Sequence, residues 1–120
     1  MGTVYVTQQP KPNKLGWTPN LSSAAEFGKI TYVFSGSDTP YSDPERAMDD
    51  ARHALHAFDP EQDYILWPNS GDSASIWVIL MTLSRFPINQ IRFLYWERKM
   101  TEGVRSRTDG FYSPVTIPFN

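Results

Sequence analysis

The sequence predicts an α/β fold. The expectation is a single domain over residues 1–120, two or three layers deep, with a Rossmann-like, mostly parallel sheet of about four to five strands. Two main helices and an antiparallel C-terminal hairpin with an edge strand complete it. Three observations carry this expectation. The stretch from Asp63 to Phe86, DYILWPNSGDSASIWVILMTLSRF, is a short apolar run, a small polar loop and an apolar segment of helical length, which together make half of a βαβ unit. Before it stands a similar unit, Lys29 to Phe34 followed by Ser35-Gly36-Ser37-Asp38 and a capped helical pattern. Residues 99–119 end the chain with alternating segments around an Asp-Gly pair.

Composition narrows the function classes. At 120 residues, 40% hydrophobic and 14% aromatic, the chain suits one packed core. A net charge of −2 supplies no global field that would draw it onto nucleic acid or an anionic membrane. The absence of cysteine excludes disulfides, zinc–thiolate sites and a cysteine nucleophile. No basic region with an apolar core opens the chain, and no apolar run reaches ~18 residues, so neither a signal peptide nor a membrane span is expected. Val6 stands where a myristoylation site needs a hydroxyl. A soluble, cytoplasmic protein is the resulting expectation.

In chain order, Val4 to Thr7 is β-branched and aromatic and predicts a strand at a sheet edge. Residues 8–28 carry Pro10, Pro12, Gly16 and Pro19 with no sustained period, which predicts a long loop with one helical turn near Ser23 to Glu26. Leu15, Trp17, Leu21 and Phe27 would pin that loop to the body. Lys29 to Phe34 is apolar on both faces and predicts a strand interior to the sheet. Ser42 or Asp43 then caps a helix with Pro44 at its first position, running to about Phe58. Its stripe of Ala47, Ala51, Ala54, Leu55 and Phe58 faces the sheet, while Glu45, Asp49, Arg52, His53 and His56 face water.

Tyr64 to Trp67 predicts the next strand and Ser73 to Arg85 the second main helix. Ile76, Ile79, Leu80 and Leu83 make its core stripe, but Trp77, Val78 and Met81 extend the apolar surface further round. A helix apolar nearly all round is buried on more than one side, here by the 8–28 loop or by a partner chain. Ile91 to Trp96 predicts another strand, Thr108-Asp109-Gly110 a hairpin turn, and Val115 to Phe119 an antiparallel strand whose Pro114 and Pro118 suit an edge.

Two groups of residues are candidates for function. If the strands ending at Phe34 and Trp67 are adjacent and parallel, Ser35, Gly36, Ser37 and Asp38 lie beside Asn69, Ser70, Gly71, Asp72 and Ser73. Gly71 would admit a ligand close to backbone, Ser73 and Ser75 would donate hydroxyls, and Asp72 suits a ribose or a divalent cation better than a bare phosphate. The same residue types are also ordinary helix caps and turn formers. The second group, for partner binding, is Trp77, Met81, Trp96, Arg98, Arg105, Arg107, Phe111 and Tyr112. With Lys99, its hairpin members form a basic and aromatic cluster that could also grip a nucleic acid strand, although charges on hairpins commonly guard edges. His53 and His56 lack a third ligand, and Asn69-Ser70-Gly71 lacks the glycines of a nucleophile elbow. No metal, cofactor or catalytic residue is assigned.

The order YVTQ, AAEFGKI, DPEQDYIL, GDSASI, IRFLYWER resembles a family of small bacteriophage-encoded α/β proteins of uncharacterised role, across most of the chain. In those proteins a strand similar to DYLLL leads into a Gly-Asp turn and an Ala-rich helix, and the next strand carries LLKWDR. Here the helix after Gly71-Asp72 is bulkier and the hairpin from Lys99 to Phe111 longer. The resemblance implies a viral accessory protein made in a host bacterial cytoplasm. Together the residues and the resemblance favour a non-enzymatic binding protein that engages a host or viral protein, with a homo-oligomer compatible. The alternative is a small-ligand or nucleotide module built on the two Ser-Gly loops.

Overall fold

A computed structural model describes residues 2–7, 20–34, 43–67 and 73–118. Its elements are β1 (Thr3–Val6), α1 (Ser22–Ala25), β2 (Lys29–Tyr32), α2 (Pro44–Leu55), β3 (Tyr64–Leu66), α3 (Ser73–Leu83), β4 (Gln90–Thr101) and β5 (Val104–Pro118). Among the described residues this is a mixed α/β arrangement of three helices and a five-stranded sheet in the order β2-β1-β3-β4-β5. The first four strands are parallel and β5 runs antiparallel to β4.

Period-two alternation divides the sheet's side chains between two cores. Tyr5, Ile65, Ile91 and Phe93 join Ala47, Ala51 and Leu55 of α2 and Ile76, Ile79 and Leu83 of α3 on one face. Val4, Val6, Leu66 and Leu94 turn the other way and meet Ala24 of α1, Leu21 and Phe27. Helix α2 begins as its residues dictate: the Asp43 carboxylate accepts the Arg46 N–H at 3.1 Å, and Pro44 occupies the first turn, where no intrahelical donor is needed.

The positions of the first two strands reverse the sequence expectation. β1 is interior and β2 is the edge strand, so β2 and β3 are not neighbours; β1 lies between them. Val4, Tyr5 and Val6 are all buried, as an interior strand requires, whereas Lys29 and Tyr32 of β2 are exposed. Run length misled here, since three consecutive apolar residues suffice for a short interior strand. The C-terminal hairpin also differs. β4 continues past Trp96 to Thr101, β5 is one strand from Val104, and the chain reverses at Glu102-Gly103, not at Thr108-Asp109-Gly110.

One buried polar group ties the start of β1 to the turn that leads into β3. Asp63 is 5% exposed; its Oδ1 accepts the Thr3 N–H and its Oδ2 the Asp59 N–H, each at 2.8 Å. A carboxylate that satisfies two amides 60 residues and four residues away in sequence fixes both segments at once. The nearby Tyr5 phenol is held above its ordinary pKa, by burial first and by the Asp63 charge second. Asp63→Ala is expected to lower stability by about 2–4 kcal/mol in urea unfolding, through two lost charge-assisted bonds and two orphaned amides. Asp63→Asn, which keeps one acceptor, should lose roughly half as much. An unchanged midpoint in Asp63→Ala would contradict the role given to this carboxylate.

Candidate functional site

β3 ends at Leu66, opposite Leu94, and the Trp67 N–H closes the pairing on the Leu94 carbonyl at 2.8 Å. From Tyr95 outward, β4 therefore has β5 as its sheet neighbour, and the two form a ribbon that reaches the Glu102-Gly103 turn. A lone two-stranded ribbon is marginal in water, so its side chains must stiffen it. The Trp96 ring meets the buried Tyr112 ring edge-on at 5.0 Å. Gly110 has no side chain because a Cβ there would meet the Glu97 carbonyl oxygen across the ribbon and come within 2.7 Å of Trp96 Cε2, so both the close strand approach and the position of the Trp96 ring require glycine. The Ser113 hydroxyl donates to Glu97 Oε2 at 2.8 Å. The Tyr112 N–H donates to Ser23 Oγ of α1 at 3.0 Å, which anchors the ribbon's base. At the tip, Glu102 (φ 53°) and Gly103 (φ 79°) supply the two positive φ values that match a tight turn to the twist of its strands.

The ribbon's two faces are unlike. Leu94, Trp96 and Tyr112 pack beneath α1. On the opposite face, cross-strand pairing places Val115 beside Phe93 and Ile117 beside Ile91, with Tyr95 and Phe111 further out. These four are 38%, 47%, 39% and 46% exposed, because α3 covers β3 and β4 but does not extend over β5. Between Tyr112 and Pro118 the outer edge of β5 lacks the regular row of donors that a further strand needs. Tyr112 directs its N–H outward to Ser23, and by alternation residues 114, 116 and 118 face the same way; two of these are Pro114 and Pro118, which have no N–H.

Helix α3 presents a second surface. Ile76, Ile79 and Leu83 point into the core, while Trp77 and Met81, one turn apart, stand opposite them at 64% and 43% exposure. The expected cover from the 8–28 loop is not found in its described part, since Leu21, Ala24 and Phe27 pack on the other face of the sheet; residues 8–19 lie outside the described residues.

The predicted residues are thus distributed as follows. Trp77 and Met81 share the outward side of α3. Arg98 and Arg105 are exposed on the ribbon with Phe111; Trp96 is half-buried and Tyr112 buried, so these two rings shape the ribbon from within. Arg107 belongs to β5, but its side chain lies outside what is described. Ser35, Gly36, Ser37, Asp38, Asn69, Ser70, Gly71 and Asp72 also lie outside the described residues, and Ser73 is described only as the first residue of α3. Sequence reasoning missed Tyr95, Val115 and Ile117, whose exposure follows from alternation only once β4 and β5 are known to pair along their whole length. It also missed Arg92, whose guanidinium lies 4.2 Å over the Tyr64 ring.

Gly110→Ala should push the Glu97 carbonyl and Trp96 away from the ribbon, lower stability by about 1–3 kcal/mol and speed amide exchange in residues 97–110 selectively, and Trp96→Ala should do the same without the backbone clash. Exchange in those residues indistinguishable from the parent would contradict the stiffening ascribed to Trp96.

No curated protein and no solved structure matches the chain. No helix among the described residues is long and apolar enough to cross a membrane. A family model described as Phage Pam3 gp32-like protein matches residues 2–109, a region that runs from β1 into β5 and contains every motif on which the bacteriophage resemblance rests. The chain therefore belongs to the Phage Pam3 gp32-like protein family.

Proposed function

We propose that this protein is a non-enzymatic phage accessory factor that engages a host or viral protein in the bacterial cytoplasm, with the outward side of α3 as its principal contact. Trp77 carries the reading. An indole 64% exposed on a rigid helix keeps a large apolar area in water, and tryptophan is the residue type that most often anchors protein interfaces. Met81 beside it adds an adaptable apolar side chain. Arg98, Arg105 and Phe111 on the ribbon supply further residue types that interfaces favour. Along the ribbon, Arg98, Lys99, Arg105 and Arg107 are interspersed with Glu97, Glu102 and Asp109, a mixed pattern that suits a protein partner better than a phosphate backbone.

The strand order supports a second reading, a Rossmann-like small-ligand or nucleotide module. In open sheets whose first strand lies between the second and third, ligands bind beyond the carboxyl ends of the strands where the order reverses. Here that point falls between β1 and β3, and the segments 35–38 and 69–73 follow β2 and β3. Isothermal titration with nucleotides and Mg²⁺ that gives no heat would remove this alternative.

The principal reading is tested by retention from a bacterial lysate with mass spectrometry, comparing the parent with Trp77→Ala. The expected result is a specific protein held by the parent and reduced by at least about tenfold in the variant. Circular dichroism and thermal midpoint should stay unchanged, since Trp77 is exposed. Equal retention by both would overturn the assignment of α3.

A further inference from the structure

We infer that Arg92 and Tyr64 form a site for a single carboxylate, of the kind that an acidic side chain of a partner protein carries. The site lies on the face of the sheet that holds Val4, Leu66 and Leu94, opposite the face covered by α3, so it is separate from the surface assigned to Trp77 and Met81. Arg92 stands two residues before Leu94 in β4 and shares its face by alternation. It is half-buried there.

The guanidinium has no counter-ion. Its carbon stacks 4.2 Å from the centre of the Tyr64 ring, and Nη1 donates to the Tyr64 hydroxyl at 3.2 Å. Among the described residues no carboxylate pairs with it. Nε is enclosed and has no hydrogen-bond partner at all. A charge held against a sheet face with one donor orphaned lacks the acceptors that buried ionic groups ordinarily find. Stacking on Tyr64 offsets part of that loss, but a ring face is a poor substitute for an anion.

The donors that remain open indicate which anion fits. Nη2 makes no hydrogen bond and is not enclosed, so it reaches solvent. The Tyr64 hydroxyl accepts from Nη1, and its own proton goes to no described acceptor. Guanidinium and phenol thus lie side by side, and a carboxylate can take a bond from one on each of its two oxygens. Phe27, edge-on to Tyr64 at 5.3 Å, flanks the ring on one side. Thr116, opposite Arg92 on β5, is exposed and leaves the approach from that strand open. A doubly charged phosphate calls for more positive charge than one arginine gives, and the next cation along this face of β4 is Arg98, roughly 20 Å away at about 3.3 Å per residue. A monoanion matches the site.

The test uses N-acetylglutamic acid N-methylamide, whose sole charge is its side-chain carboxylate, added to the full chain at constant ionic strength while amide and arginine Nε–H resonances are followed. Saturable shifts centred on Tyr64, Arg92 and Thr116 are expected, with a Kd on the order of 10 mM. The uncharged glutamine counterpart should cause no saturable shift, and inorganic phosphate should bind no more tightly than the carboxylate. Tyr64→Phe keeps a ring under the guanidinium but removes the phenol, and should weaken binding by about three- to tenfold. Arg92→Met should abolish it. No partner protein enters the measurement, so its failure and the failure of the α3 reading are distinguishable. A parent that shows no saturable shift up to about 100 mM would overturn the inference. So would equal shifts from the glutamine counterpart, phosphate bound more tightly than the carboxylate, binding retained in Arg92→Met, or a Tyr64→Phe variant that binds as the parent does.

Discussion

The Asp63 carboxylate holds the first strand in the middle of the sheet, and much of the architecture follows from that placement. With one oxygen on the Thr3 N–H and the other on the Asp59 N–H, it joins the start of β1 to the turn before β3. β1 then separates β2 from β3, so the chain must cross back over β1 to continue. Right-handed crossovers of opposite direction put their helices on opposite faces of a sheet. Accordingly α1 packs with Val4 and Val6 on one face, while α2 and α3 pack with Tyr5 and Ile65 on the other.

The second consequence lies at the other end of the sheet. After β4 the chain makes a tight turn instead of another helical crossover, so among the described residues no helix lies over the face of β5 that bears Val115 and Ile117. α3 consequently lacks a helical neighbour on that side, and the face bearing Val115 and Ile117 is left bare. The exposure of Val115 and Ile117 follows from that turn, whereas Trp77 and Met81 are exposed because they stand on the side of α3 away from the sheet.

Much of this was legible in the residues. The strand from Tyr64 and the helix from Ser73, the Asp43 cap before Pro44, and the Ala47, Ala51, Leu55 stripe all have local causes, and the structure bears them out. The motifs from YVTQ to IRFLYWER pointed to a bacteriophage family, and the family match spans them. Strand order was not legible, because pairing between β1 and its neighbours is decided by long-range contacts that no local period encodes. The hairpin turn was misplaced for a different reason. Asp-Gly is a strong turn signal, but Gly110 is needed beneath the Trp96 ring, whereas Glu102-Gly103 turns the chain without the Asn or Asp that usually marks such a site. Of the candidate ligand loops, only the helix that Ser73 opens falls among the described residues.

The interior position of β1 is tested most directly by native-state amide exchange. Amides of Val4, Tyr5 and Val6 should be among the slowest in the protein, opening only with global unfolding and matching Ile65 and Phe93. Exchange in β1 as fast as that of the outward-facing amides of the β2 edge would contradict the strand order and the surfaces derived from it.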